Sequence, residues 1–137
     1  MENLKLITFL TALLISQASF AFTIEKIRGD ISHPWGMSVL NDEEVLVTAR
    51  AGALLRINLK TGQQRAVLPT PFAASFRQGG LLDVAYDSDT NQVHLCYSKP
   101  LETGAGLAIA SAELDGHQLT NLRDIFISNH RSSSGSH

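Results

Sequence analysis

The sequence predicts an all-β fold of the β-propeller type, represented by its first two blades. Three observations carry this. A strand pattern occurs twice, about 47 residues apart. Each copy holds four short apolar runs with turn residues between them. A period of roughly 40–50 residues for four strands is that of a propeller blade. A blade leaves its faces to be covered by neighbours, and propellers hold about 4–8 blades, so two blades close no ring. The sequence therefore reads as the front of a longer protein.

The elements follow in order. Residues 1–21 read as a secretory signal peptide. Lys5 and the amino terminus supply positive charge, Leu6 to Ile15 an apolar core, and Ser19-Phe20-Ala21 the small residues a signal peptidase reads. The apolar run is short for a bilayer span, and no cysteine follows the cleavage site. A soluble periplasmic or secreted product beginning at Phe22 is the expectation, with residues 22–137 as the propeller part. Thr23–Arg28 alternates apolar and polar residues, which predicts an extra strand before the first blade.

The first blade has runs at Met37–Leu40, Val45–Ala49, Leu54–Leu59 and Ala66–Leu68, divided by Asn41-Asp42, Ala51-Gly52 and Lys60-Thr61-Gly62. Pro69–Arg77 reads as the loop to the next blade. Within it Ala73–Gln78 is the one helical candidate, too short to persist without packing and flanked by breakers. The second blade has runs at Leu81–Tyr86, Val93–Tyr97, Leu107–Leu114 and Ile125–Ile127, divided by Asp87–Asn91, the Pro100–Gly106 loop and Asp115-Gly116.

Composition narrows the function classes. A hydrophobic content of 44% can support a core, while a net charge of −2 with singly scattered basic residues gives no footprint for nucleic acid. Cys96, the one cysteine, can make neither an internal disulfide nor a thiolate zinc site, and reads as a small buried hydrophobe. Asp83, Asp87 and Asp89 read as solvated turn residues, so no metal site is assigned. Isolated, a two-blade chain would expose an uncovered apolar face and is expected to associate or to be marginally stable.

Four features near the motifs need weighing. Trp35 after Pro34 is a large apolar plate that reads as packing between blades. Gly79-Gly80 lets the backbone turn tightly into the strand at Leu81. Gln78, just before that turn, can be a solvated loop residue or can point into the central channel, where its amide offers a donor and an acceptor. His137, after a serine-rich stretch, reads on its own as exposed and idle.

Three separated motifs resemble the glucose/sorbosone dehydrogenase family: His33-Pro34-Trp35-Gly36-Met37, then Leu46-Val47-Thr48-Ala49-Arg50-Ala51-Gly52 with Leu55-Arg56-Ile57, then Gln78-Gly79-Gly80-Leu81-Leu82-Asp83-Val84-Ala85. The resemblance covers nearly all of Ile27 to His137. It implies a six-bladed exported propeller that oxidises the C1 hydroxyl of an aldose sugar to a lactone, with pyrroloquinoline quinone (PQQ) as hydride acceptor and a calcium ion polarising the quinone. It also implies that Gln78 contacts substrate and that His137 is the general base, a role for which an unperturbed imidazole pKa of about 6.5 is suited. The family's cofactor and calcium contacts lie in later blades, and the electron acceptor is not indicated. The family commonly has an acidic residue where Ala49 precedes Arg50, and neither of these two is assigned chemistry. Some relatives have an acidic residue before the base where Ser136 stands here. A secreted non-enzymatic propeller that binds carbohydrate or protein is the alternative, since the fold alone does not choose.

Overall fold

The structure, a computed structural model, describes residues 22–133. The leader 1–21 and His137 lie outside the described residues. Eight strands follow one another: β1 (Pro34–Asn41), β2 (Glu44–Ala49), β3 (Ala53–Asn58), β4 (Gln64–Ala66), β5 (Leu81–Asp87), β6 (Gln92–Pro100), β7 (Ala105–Asp115) and β8 (Gln118–Ile127). They form two four-stranded antiparallel meanders, in the orders β1-β2-β3-β4 and β5-β6-β7-β8. These are the two blades expected. Strands β1 and β5 lie against each other, so they are the inner strands of the pair, and β4 and β8 are the outer ones.

The period of two along each strand decides what is buried where. In the first blade, Leu46, Thr48 and Leu54 face the second blade, while Val45, Val47 and Ile57 face the other way with Ile31, Leu55 and Leu59. In the second blade Val84, Val93, Leu95 and Tyr97 point back toward the first, together with Ala108, Ala110 and Ala112 of β7. Leu46, Leu54 and Val67 are fully buried in this seam. The three alanines leave room for the larger side chains opposite.

Polar links pin the seam at several heights. The buried Thr48 hydroxyl donates to the Leu82 carbonyl of β5 and accepts from the Gly36 amide at 2.9 Å. The Tyr86 amide donates to the Ser38 hydroxyl at 2.9 Å. At the outer end, Arg56 of β3 pairs with Glu44 and donates to the Gly116 carbonyl of the β7–β8 turn at 2.8 Å.

Several expectations are corrected. Thr23–Arg28 is no strand: nothing among the described residues pairs with it, and a strand without a ladder leaves its backbone to water. It is tied instead through Arg28, which bonds the Gly62 carbonyl and Asp30. The fourth strand of the first blade is Gln64–Ala66 rather than Ala66–Leu68, because Leu68 turns from the first blade to the second, while Val67, buried in the seam, still donates its amide to the Leu54 carbonyl at 2.8 Å. Leu68 makes a parallel bridge to Gln118 of β8, with Leu68 N to His117 O at 3.1 Å and Leu119 N to Leu68 O at 2.8 Å. Ile125–Ile127 is the end of a ten-residue strand, since the polar first part of β8 pairs with β7 just as well. Trp35 is no such correction: it is half exposed on the first blade's other face, beside Ile31, Met37, Val45 and Val47 around an apolar hollow of about 450 Å³, the face that a further blade of a ring would cover. Cys96 is half-buried on the open face of the second blade, where it pairs in register with Ile109. Asp83 is a strand residue of β5, whereas Asp87 does cap its turn, accepting from Asp89 N at 3.0 Å and Thr90 Oγ1 at 2.6 Å.

The Arg56 hydrogen bonds hold the Glu44 carboxyl below its ordinary 4.5, against the opposing effect of burial. A depressed folded pKa means that the pair contributes fully above the unfolded value and that the contribution is lost as pH falls through the folded value. Glu44→Gln should therefore be less stable than the parent at pH 7 by about 1 kcal/mol. The two should converge as pH drops below 4.5. Denaturant midpoints of both proteins across an acid titration check this; a gap independent of pH would count against it.

Candidate functional site at the mouth of the inner strands

Residues 67–80 carry the chain from the outer strand β4 back to the inner strand β5, and Gln78 stands at the end of this crossing. The path is tethered along its length. Thr70 Oγ1 donates to the Gly52 carbonyl at 2.9 Å, and the Ala74 amide to the Ser98 carbonyl at 2.8 Å. The segment is a loop, as expected, with no helix at Ala73–Gln78, and it closes in a tight turn with Gly79 N to Phe76 O at 2.8 Å. Within it Arg77 has φ +53° and Gly80 φ +148°, two left-handed positions around Gln78.

Gly80 has a steric reason for lacking a side chain. A Cβ there would overlap the carbonyl of Arg50, which accepts the Leu81 amide at 3.0 Å. From the other side the buried Ser98 accepts the Gly80 amide on its hydroxyl at 3.1 Å and donates its own amide to the Gly80 carbonyl at 2.9 Å. The turn is thus gripped between the β2–β3 corner of one blade and the end of β6 in the other. Gln78 is exposed on top of it, and among the described residues its amide has no hydrogen-bond partner. His33, at the start of the other inner strand, joins the same end through Arg50 N to His33 O at 3.0 Å.

His137, the sequence's candidate base, lies outside the described residues, so its placement relative to Gln78 is not described. From sequence Arg50 was set aside and Ser98 was not singled out. A serine at the end of an apolar strand is the only local trace of the second, and Arg50 reveals itself through partners 27 and 31 residues away.

Beside the crossing loop, Tyr97 donates to Asp124 Oδ1 at 2.6 Å, and Lys99 pairs with the same carboxylate. They line a hollow of about 340 Å³ with Pro71, Phe72 and Arg123. Burial, and then the Asp124 carboxylate, push the Tyr97 phenol far above its usual value. Burial works against ionisation of Asp124, yet Lys99 and Tyr97 outweigh it and hold that carboxyl below the usual range. Burial also pushes the Cys96 thiol up, with Asp83 adding to it, which is the opposite of what a nucleophilic thiolate needs. Among the described residues, no group of three or more His, Cys, Asp or Glu could hold a metal ion.

Two adjacent four-stranded blades with their inner strands side by side, and an exposed amide at the mouth of those strands, define a segment of a β-propeller. A sequence model of the Glucose / Sorbosone dehydrogenase family matches residues 31–137, and the chain belongs to that family. It is 30% identical over 121 residues to the aldose sugar dehydrogenase YliI of Escherichia coli (strain K12), a match covering 83% of this chain and 33% of that protein. Among solved structures, a glucose dehydrogenase superposes with a TM-score of 0.79 at 28% identity, over 85% of this chain and 38% of the other. The apo form of the soluble aldose sugar dehydrogenase of Escherichia coli gives 0.77 at 26% identity, over 84% and 35%. The PQQ-bound aldose sugar dehydrogenase of Streptomyces coelicolor shares the fold, with 0.63 at 20% identity over 78% and 34%. The chain spans about a third of the length of these relatives.

The steric account of the turn makes a contrast between two glycines. Gly80→Ala should cost about 1–3 kcal/mol, since both its φ and the Arg50 carbonyl oppose a side chain. Gly52→Ala, at φ +115° but with open space around it, should lose less. Chemical denaturation of the two variants beside the parent gives the ranking; equal losses would show that the Arg50 contact does not constrain Gly80.

Proposed function

We propose that this chain supplies the first two blades of an exported, periplasmic or secreted dehydrogenase that oxidises the C1 hydroxyl of an aldose to the lactone. Family membership over residues 31–137 is the observation that carries the reading. The relatives named as aldose sugar dehydrogenase and glucose dehydrogenase support the substrate class. The PQQ-bound relative supports the cofactor, which when bound accepts the hydride from C1.

The residues of this chain have two parts in the reaction. Gln78 presents an unpartnered amide at the mouth of the inner strands, which suits a neutral polyhydroxyl: the amide N–H donates to one sugar oxygen and its carbonyl accepts from a hydroxyl. His137 takes the C1 hydroxyl proton as the C1–O bond becomes a carbonyl, so that two electrons and one hydrogen leave C1 as hydride and the proton stays on the imidazole. Calcium belongs to the same proposal, but the described residues do not fit a calcium site, and no step is assigned through it here.

A chimera tests this reading. Residues 22–137 replace the matching third of the Escherichia coli aldose sugar dehydrogenase, and the protein is supplied with PQQ and calcium. Dye-linked oxidation of a panel of aldoses is expected. His137→Ala should lower kcat by roughly 10²–10⁴-fold. Gln78→Ala should raise KM with kcat little changed, as for a contact equally strong in ground and transition states. A folded chimera that oxidises no aldose, or His137→Ala turning over like its parent, would overturn the assignment.

A further inference from the structure

We propose that Arg50 is a positioning residue for Gln78: one residue of the first blade fixes the turn that presents the substrate amide of the second. The inference rests on the reading of Gln78 given above, and its geometry is independent of that reading. Arg50 holds the turn on both sides of Gln78. Its guanidinium donates to the carbonyl of Arg77, immediately before Gln78. Its own carbonyl accepts the amide of Leu81, three residues after Gln78, at 3.0 Å. Its backbone and Cγ fill the space where a Gly80 side chain would stand.

The turn needs such a restraint. Arg77 is a bulky residue held at φ +53°, a conformation that persists only when the surroundings over-determine it. The charge-assisted bond from Arg50 lands on the carbonyl of that strained residue, where it selects the left-handed conformer over the alternatives. Ser98 restrains Gly80 from the second blade, but no side chain of that blade is bonded to Arg77 among the described residues. Arg77's own guanidinium lies over the Phe76 ring at 5.5 Å. Loss of the Arg50 side chain would leave the Leu81 bond, which is backbone to backbone, and free the Arg77 peptide. Gln78 would then sample several orientations, and a sugar hydroxyl would have to order it on binding.

The test uses the chimera described above with Arg50→Met and Arg50→Lys, followed by amide hydrogen exchange and by NMR of the Gln78 side-chain amide with glucose as probe. Exchange at Gly79 and Gly80 should quicken by about tenfold in Arg50→Met, as for loss of one charge-assisted bond. Leu95 and Ala110 in the seam should exchange as in the parent, and Arg50→Lys should recover part of the protection. Unchanged exchange at Gly79 and Gly80 overturns the inference. So does equal quickening at Leu95 and Ala110, which would make Arg50 a general stabiliser. Glucose should shift the Gln78 amide resonances in the parent and shift them less in Arg50→Met. If the turn loosens as expected but glucose leaves Gln78 unmoved in the parent, Arg50 does fix the turn and the substrate reading of Gln78 fails.

Discussion

The seam between the two blades is the constraint on which the rest of the structure depends. Most of the buried apolar side chains lie between the two sheets, and only a smaller cluster of Val45, Val47 and Ile57 is buried on the far face of the first. Leu46, Leu54 and Val67 enter from one side and Val93, Leu95 and Tyr97 from the other, over a floor of three alanines. Each fully buried leucine is worth about 1.5–3 kcal/mol against exposure. That burial fixes the separation and angle of the inner strands, and through them the mouth at which Gln78 stands. The Thr48 hydroxyl, the Ser38 hydroxyl and the Arg56 guanidinium then set the register between sheets, because a slip would leave each of them buried or half-buried without its partner.

Most of this architecture was legible in the sequence because strand alternation is a local signal. Seven of the eight apolar runs overlap the strand they predicted in most of their length, while the run Ala66–Leu68 shares only Ala66 with β4. The misreadings have a common cause. Thr23–Arg28 has the alternation of a strand but no partner, and Leu68 has the apolarity of a strand residue but is drawn away by β8. In each case the outcome depends on what lies across from the residue, and pairing between distant segments is not written in local pattern.

The candidate site divides in the same way. Gly79-Gly80 announced a tight entry to β5, and so located Gln78. The reason for the second glycine, the Arg50 carbonyl, and the grip of Ser98 were hidden because both partners come from other strands. The sequence treated Arg50 as a residue without a part in the chemistry. The structure gives it work on the backbone around Gln78.

The outer strands bear on how copies of this chain can meet. β4 is only three residues long, Gln64, Arg65 and Ala66, all exposed. β8 departs twice from regular register with β7 and carries Asn121 at φ +54°. A short, charged border and a kinked one are poor templates for an added strand, since a newcomer finds neither a straight row of free amides nor an apolar neighbour to lie beside. The broad sheet surfaces are the opposite: Trp35, Met37 and Val39 on one, Phe126 on the other, all at least half exposed. Contact between molecules is thereby steered toward stacking of sheets, the geometry by which blades fill a ring, and away from the edgewise pairing that leads to fibres.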